Sequence, residues 1–259
     1  MQTPVLFVSH GAPDITLQVQ APTLACWQQL GAQLAHPKAI LVVSAHWETQ
    51  TPTFSTAAQP KTIHDFGGFP APLYRLQYPA AGAPELATLL HAAFAKAQLP
   101  LQIDAQRGLD HGAWIPLLSL FPHADIPVAQ LSIQTQAGAN WHLQLGEALQ
   151  SLRSQGVLII GSGAVTHNFG WLSRTPEPLP AAIEFSDWLG EKLQARASDD
   201  LINYRTKAPQ GAAAHPTEDH ILPLFVAFGA STAQDRLTRF TPEVTYGALA
   251  MDAYLWETI

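Results

Sequence analysis

Two stretches near the N-terminus, "LFVSHGAPD" from Leu6 and "AILVVSAHWE" from Ala39, each run a short apolar segment into a histidine, His10 and His46. A third apolar run, "VLIIGSGAVTHNFG", leads on to His167. In α/β sheets ligands bind at the carboxyl ends of the strands, and these three histidines are expected there. One histidine at a strand end is ordinarily a hydrogen-bonded loop residue; three in the same topological position suggest a cluster. Imidazoles converging from separate elements each offer one borderline-soft nitrogen, which suits a divalent transition metal, zinc and iron alike. A fourth histidine, His220, falls in "AAAHPTEDHILPLF", where Thr217 is a candidate helix cap and Glu218 and Asp219 suit a helix's positive end. This reading puts His220 in the first turn of a helix, with Pro223 breaking a hydrogen bond shortly after.

The chain has no HExxH, CxxC or DxDxDG, so a metal site must be assembled from distant segments. "GSG" at 161–163 follows a strand pattern without completing G-x-S-x-G, and Ser162 is not read as a nucleophile. The small residues of "GSGA" are expected to let backbone approach a ligand closely. The glycines of "HDFGGFP" neither follow a strand nor precede a Gly-Lys pair, which excludes a P-loop.

The elements that must position these residues alternate short Val/Ile-rich runs with amphipathic helical patterns, the signature of a sheet flanked by helices. Strands are expected at Val5 to Val8, Ala39 to Val43, Ile126 to Ile133 and Val157 to Ile160, and helices at Thr23 to Leu34, Glu85 to Ala97, Trp141 to Arg153 and Ala181 to Ala195. Gly156 sits where a helix C-terminal glycine belongs. The alternation from Val244 to Trp256 reads as one closing strand. The Pro-rich stretches "HDFGGFPAPLYRLQYPAAG" and "SRTPEPLPA" read as ordered loops. The expected architecture is α/β, one domain over 1–259, with a central mostly parallel or mixed sheet and helices on both faces.

Composition narrows the function classes. With 47% apolar residues the chain can bury a sizeable core. Charged residues make up 13%, against about a quarter in ordinary chains, so the eleven histidines stand out. A net charge of −7, with no Lys/Arg cluster, argues against nucleic acid as a partner. Cys26, the single cysteine, forms no internal disulfide and is expected in the core. The N-terminus lacks a basic stretch before its apolar run, and no run approaches the ~18 apolar residues of a membrane span, so a cytoplasmic location is expected.

Read together, "SHGAPD", "VVSAHWET", "IHDFGGFPAPLYRLQYPAAG", "GLDHGAWIPLLSLFPHADIPVAQLSI", "GSGAVTHNFG" and "HPTEDHILPLFVAFGA" resemble the class III extradiol ring-cleavage dioxygenases, within them the 4,5-DOPA dioxygenase extradiol-like group. The segments run in order from Ser9 to Ala230. The resemblance implies one divalent metal per chain held by His10, His46 and His220. It makes His167 an acid/base group and possible additional ligand, and His111 a second acid/base group. Glu218 and Asp219 are the other donors in the third ligand segment, because better-known enzymes of the superfamily use two histidines and a glutamate. Fe(II) is the metal expected for catalysis, and an all-histidine set would also accept Zn(II). The implied substrates are a small catechol, DOPA-like or related, and O₂. Zinc-dependent hydrolysis on the same histidines and a non-catalytic binding role are the alternatives. His64, Phe66, Phe69, Tyr74, Trp114 and His215 are candidate pocket residues, and Lys61, Arg75 and Arg107 are candidate partners for a substrate carboxylate. His36, His91, His123 and His142 are expected on solvated helix faces or loop entries. Oligomeric state is not readable from the chain.

Overall fold

Apolar runs with no polar interruption suit strands covered on both faces, and the central strands here have that character. The computed structural model describes residues 2–173 and 177–258. Its strands are β1 (Val5–Ser9), β2 (Ala39–Glu48), β3 (Thr53–Ser55), β4 (Gln102–Asp104), β5 (Val128–Ile133), β6 (Val157–Gly163), β7 (Asp235–Phe240), β8 (Val244–Thr245), β9 (Leu249–Ala250) and β10 (Ala253–Thr258). The helices are α1 (Pro22–Gln33), α2 (Leu86–Lys96), α3 (His111–Leu120), α4 (Gly138–Arg153), α5 (Pro180–Gln194), the short α6 (Ser198–Ile202), α7 (Tyr204–Lys207) and α8 (Gly211–Ala214), and α9 (Leu222–Ala230).

Eight strands form one mixed sheet in the order β4-β3-β5-β2-β6-β1-β10-β7. The four central strands β5, β2, β6 and β1 are mutually parallel. β10 runs antiparallel to both β1 and β7, and β3 antiparallel to β5. Strand side chains alternate between faces. Val5, Phe7, Leu41, Val43, Val157 and Ile159 pack on one side with α2, α4, α5 and α9. Leu6, Val8, Ile40, Val42, Leu158 and Ile160 pack on the other with α1 and α3. Arg153, fully buried at the end of α4, forms a paired contact with both Asp235 oxygens at 2.7 Å and donates to the Thr3 carbonyl, tying the edge strand to the N-terminus.

The expected strands and helices appear within a few residues of their foreseen limits, and Gly156 has a φ of +87° after α4. Four elements differ from expectation. The stretch from Val244 to Trp256 is a small hairpin, β8 with β9, followed by the separate strand β10; Tyr246 and Gly247, both at positive φ, turn the chain between β8 and β9. β7, with the polar sequence DRLTRF, is an edge strand and carries little apolar signal. α3, which is not among the expected helices, contains Pro116 and continues through it. α9 begins at Leu222, after His220, so His220 lies in the preceding turn, and Pro223 occupies the first turn of the helix, where a missing N–H costs nothing. The expected loop "SRTPEPLPA" falls partly on 174–176, outside the described residues. Among the described residues no helix is long and apolar enough to cross a membrane. Cys26 is half-buried against the α1 side of the core.

Candidate metal centre

Strand order explains why the histidines meet. β6 lies between β2 and β1, so the carboxyl ends of these three parallel strands stand side by side. His10 follows the last residue of β1. His46 lies inside β2, beyond the point where its pairing with β5 becomes irregular. β6 ends at Gly163, and the next residue, Ala164, donates its N–H to the His220 carbonyl. That approach depends on glycine: a Cβ at Gly163 would sit 2.0 Å from the His220 carbonyl oxygen, and one at Gly161 2.3 Å from that of Pro223. The "GSGA" glycines therefore admit the His220 turn and α9 to the sheet, rather than a ligand.

The resulting cluster is tight. The ligand nitrogens of His10, His46 and His220 all lie within 4.8 Å of one another, and two further such groups, His46/Asp65/His111 and His167/Asp219/His220, adjoin it. His10 and His46 approach Nε2 to Nε2 at 3.0 Å. His167 stacks on His220 with ring centroids 3.5 Å apart and planes 7° from parallel, and His111 lies 3.8 Å from the His46 ring.

The tautomer of His10 follows from a helix proline. Pro116 has no N–H to offer the Gly112 carbonyl four residues earlier. Ser162 Oγ donates to that carbonyl at 2.5 Å instead. Its proton thus committed, Ser162 Oγ accepts from His10 Nδ1 at 3.1 Å, which leaves the His10 Nε2 lone pair facing the cluster. Ser162, fully buried and engaged on both sides, is a positioning group. On the third histidine Nδ1 donates to Asp219 at 2.5 Å, again freeing Nε2. Such outer partners orient and strengthen metal-binding imidazoles. Glu218 accepts from Tyr204 Oη at 2.9 Å, outside all three groups.

His46 and His111 are held by a second network. Fully buried Asp110 caps α3, whose first residue is His111. It accepts from Ser44 Oγ at 2.6 Å, Gln130 Nε2 at 2.7 Å and Arg107 at 2.8 Å. Arg107 also donates to the His46 carbonyl, at 3.1 Å. Asp65 accepts from the His111 backbone N–H at 2.9 Å and lies 3.0 Å from His111 Nδ1, in close contact without an aligned hydrogen bond. Partial burial favours protonation of Asp65, but the His111 contacts outweigh it and hold the carboxyl at about 2. Burial, then the neighbouring imidazoles, push His10 and His46 well below the usual histidine range. Burial, then His220, push His167 down to about 3.

These features fit a divalent metal. An Nε2–Nε2 separation of 3.0 Å between His10 and His46 suits two imidazoles that ligate one cation. Metal–nitrogen bonds of about 2.0–2.1 Å put neighbouring ligand nitrogens about 3 Å apart. The donor set is all nitrogen, with carboxylates one step behind on His220 and His111.

Other candidates lie elsewhere. A cavity of about 430 Å³ opens on the cluster, lined by His10, His46, His111, His167 and His220 and walled in part by Phe66 and Phe69. Trp114 is fully buried and donates to the Ile63 carbonyl, with the tilted rings of His64 and Phe66 5.6 and 6.2 Å away. His64, bonded to the Leu76 carbonyl, and Tyr74, 5.2 Å from the Phe66 ring, back the wall without lining the cavity. His215 is buried behind it, 2.8 Å from the Val165 carbonyl. Lys61, Arg75 and Arg107 do not line it. His36, His91 and His123 are exposed as expected, but His142 is fully buried: its Nδ1 donates to the Gly138 carbonyl and its Nε2 accepts from the Gln134 N–H. Sequence reasoning missed Ser162, Asp110 and Asp65 as positioning groups. The aspartate before His111 and that after His64 were visible, but their partners come from other elements.

Residues 3–249 match the family described as the catalytic LigB subunit of aromatic ring-opening dioxygenase, and the chain belongs to that family. A Beta vulgaris protein named 4,5-DOPA dioxygenase extradiol is 43% identical over 87% of this chain and 85% of its own length. An Escherichia coli K12 protein of the same name is 38% identical over 96% of this chain and 92% of its own. The crystal structure of an uncharacterized Escherichia coli K12 protein superposes with a TM-score of 0.80 at 31% identity, covering 98% of this chain and 99% of that one.

Proposed function

We propose that this extradiol dioxygenase opens the ring of a catechol with O₂ at a single Fe(II) held by His10, His46 and His220, with His167 and His111 handling protons. The carrying observation is the 3.0 Å approach of the His10 and His46 Nε2 atoms with a His220 ring nitrogen beside them. Bound Fe(II) supplies a redox-active centre that can pass electrons from catechol to O₂, which zinc, having no accessible redox change, cannot. His167 has its pKa held at about 3, so it is a free base at neutral pH, stacked against a ligand ring and facing the cavity. It is placed to take a catechol proton. His111, whose backbone N–H donates to Asp65 and whose Nδ1 lies 3.0 Å from that carboxylate, is assigned as the acid that returns a proton during ring opening. Asp219 is assigned to orienting His220 rather than to ligation. The names of the 38–43% identical relatives support a catechol as substrate class.

The test is anaerobic reconstitution of metal-free protein with Fe(II) or Zn(II), addition of a catechol, and admission of oxygen while absorbance and O₂ are followed together. Oxygen uptake with a matching coloured product in the Fe(II) sample alone is expected. Uptake in neither sample, across a panel of catechols, overturns the reading.

A further inference from the structure

We infer that buried His215 is a positioning residue for the proton-handling His167, acting through the backbone of the loop that carries it, an inference resting on the ring-cleavage reading. His10, His220 and His111 each have a side-chain partner on one edge of the ring. His167 differs: among the described residues its ring makes no hydrogen bond and is flanked by the rings of His220 and Phe169. Where that ring stands over His220 is therefore decided by the backbone beneath it.

That backbone is clasped by residues 213–215. The Ala214 carbonyl accepts the His167 N–H at 2.9 Å, and the Ala213 carbonyl accepts from Asn168 Nδ2 at 2.7 Å. His215 Nε2 lies 2.8 Å from the Val165 carbonyl. A carbonyl oxygen only accepts, so Nε2 carries the proton and donates. His215 is thus the one side chain that this segment adds to the clasp, and five residues further on the same segment delivers His220, on which His167 stacks at 3.5 Å. The ring is fully buried beside Phe185 and Tyr204, with centroids 5.6 and 6.1 Å away, and its Nδ1 has no hydrogen bond. A leucine there would remove the unpaired nitrogen and leave the Val165 carbonyl unpaired instead, a nearly even exchange for stability. What histidine adds is the place at which it holds the loop. The His220 turn is tied separately, by the Ala164 N–H on its carbonyl and by Asp219 on its ring, so metal ligation does not depend on the clasp.

The test compares Fe(II)-loaded His215→Leu, His215→Gln and His215→Asn with the unaltered protein, taking kcat and KM for L-DOPA from oxygen uptake and measuring bound iron. Leucine removes the donor, glutamine can carry an amide N–H to the Nε2 position, and asparagine reaches only as far as Nδ1. His215→Leu and His215→Asn should lose at least about tenfold in kcat with KM and iron content nearly unchanged, while His215→Gln stays within about threefold of the unaltered protein. In a His167→Ala background His215→Leu should cost nothing further, because the residue it acts through is already gone. Unaltered kcat per bound iron in His215→Leu, equal losses in His215→Gln and His215→Asn, or a full additional loss in the His167→Ala background overturns the inference. Should His215→Leu not fold, the comparison of His215→Gln with His215→Asn decides it. An unaltered Fe(II) protein that takes up no oxygen with any catechol sinks the ring-cleavage reading instead, so the two failures are distinguishable.

Discussion

At the residue scale, each imidazole of the cluster is specified by what touches its far side. Ser162 sets His10, Asp219 sets His220, and Asp65 stands against His111. Loss of an outer partner typically lowers metal affinity or activity by about 10–100-fold. Asp219→Asn keeps an acceptor for the His220 Nδ1 proton but removes the charge, so metal affinity should fall about tenfold; Asp219→Ala should fall further. Glu218→Gln should leave affinity unchanged, because Glu218 faces Tyr204. Competition titrations with a chelator read all three. If Glu218→Gln weakened binding more than Asp219→Asn, the assignment of His220 as third ligand would be wrong.

At the element scale, the histidines after the two N-terminal strand patterns were legible in the chain because apolar runs announce strands and ligands gather at their carboxyl ends. His220 needed more: its sequence suggested a helix start, and only the packing of α9 on β6 shows that a turn delivers it. α3 was illegible because Pro116 argues against a helix, while Gly112 and Ser162, 50 residues apart, supply the compensating hydrogen bond. Long-range partners of this kind leave no local period to read. The glycines of β6 carry a testable consequence. Gly163→Ala would drive a methyl group into the His220 carbonyl, and because the obstacle is backbone, the turn itself must move. A loss of about 1–3 kcal/mol in stability, typical of overpacking, should accompany loss of metal binding. Metal content and urea melts on the purified variant check both; wild-type metal affinity in Gly163→Ala would show that the His220 turn is not held by this contact.

At the scale of the whole molecule, histidines outside the cluster add to acid sensitivity. His142 and His215 are both fully buried. Burial holds each at about 4 in the folded chain, with the backbone hydrogen bonds opposing the shift. Their unfolded value is near 6.5. Between pH 6.5 and 4 the unfolded chain therefore binds more protons than the folded one, so stability is fully present above about 6.5 and is lost as pH falls toward 4. For His142 alone the shift corresponds to about 3 kcal/mol, a large part of a typical net stability of roughly 5–15 kcal/mol. His142→Gln keeps an acceptor near the Gln134 N–H but cannot titrate. Its stability at neutral pH should be lower, because the Gly138 contact is lost. Across pH 4.5–6, however, its stability should change less steeply than the wild type's, by up to about 1.4 kcal/mol per pH unit. Urea melts of metal-free protein at several pH values give both slopes. Parallel slopes would mean that His142 does not hold its proton-free state in the fold, and the acid sensitivity would then have to come from His215 and the cluster.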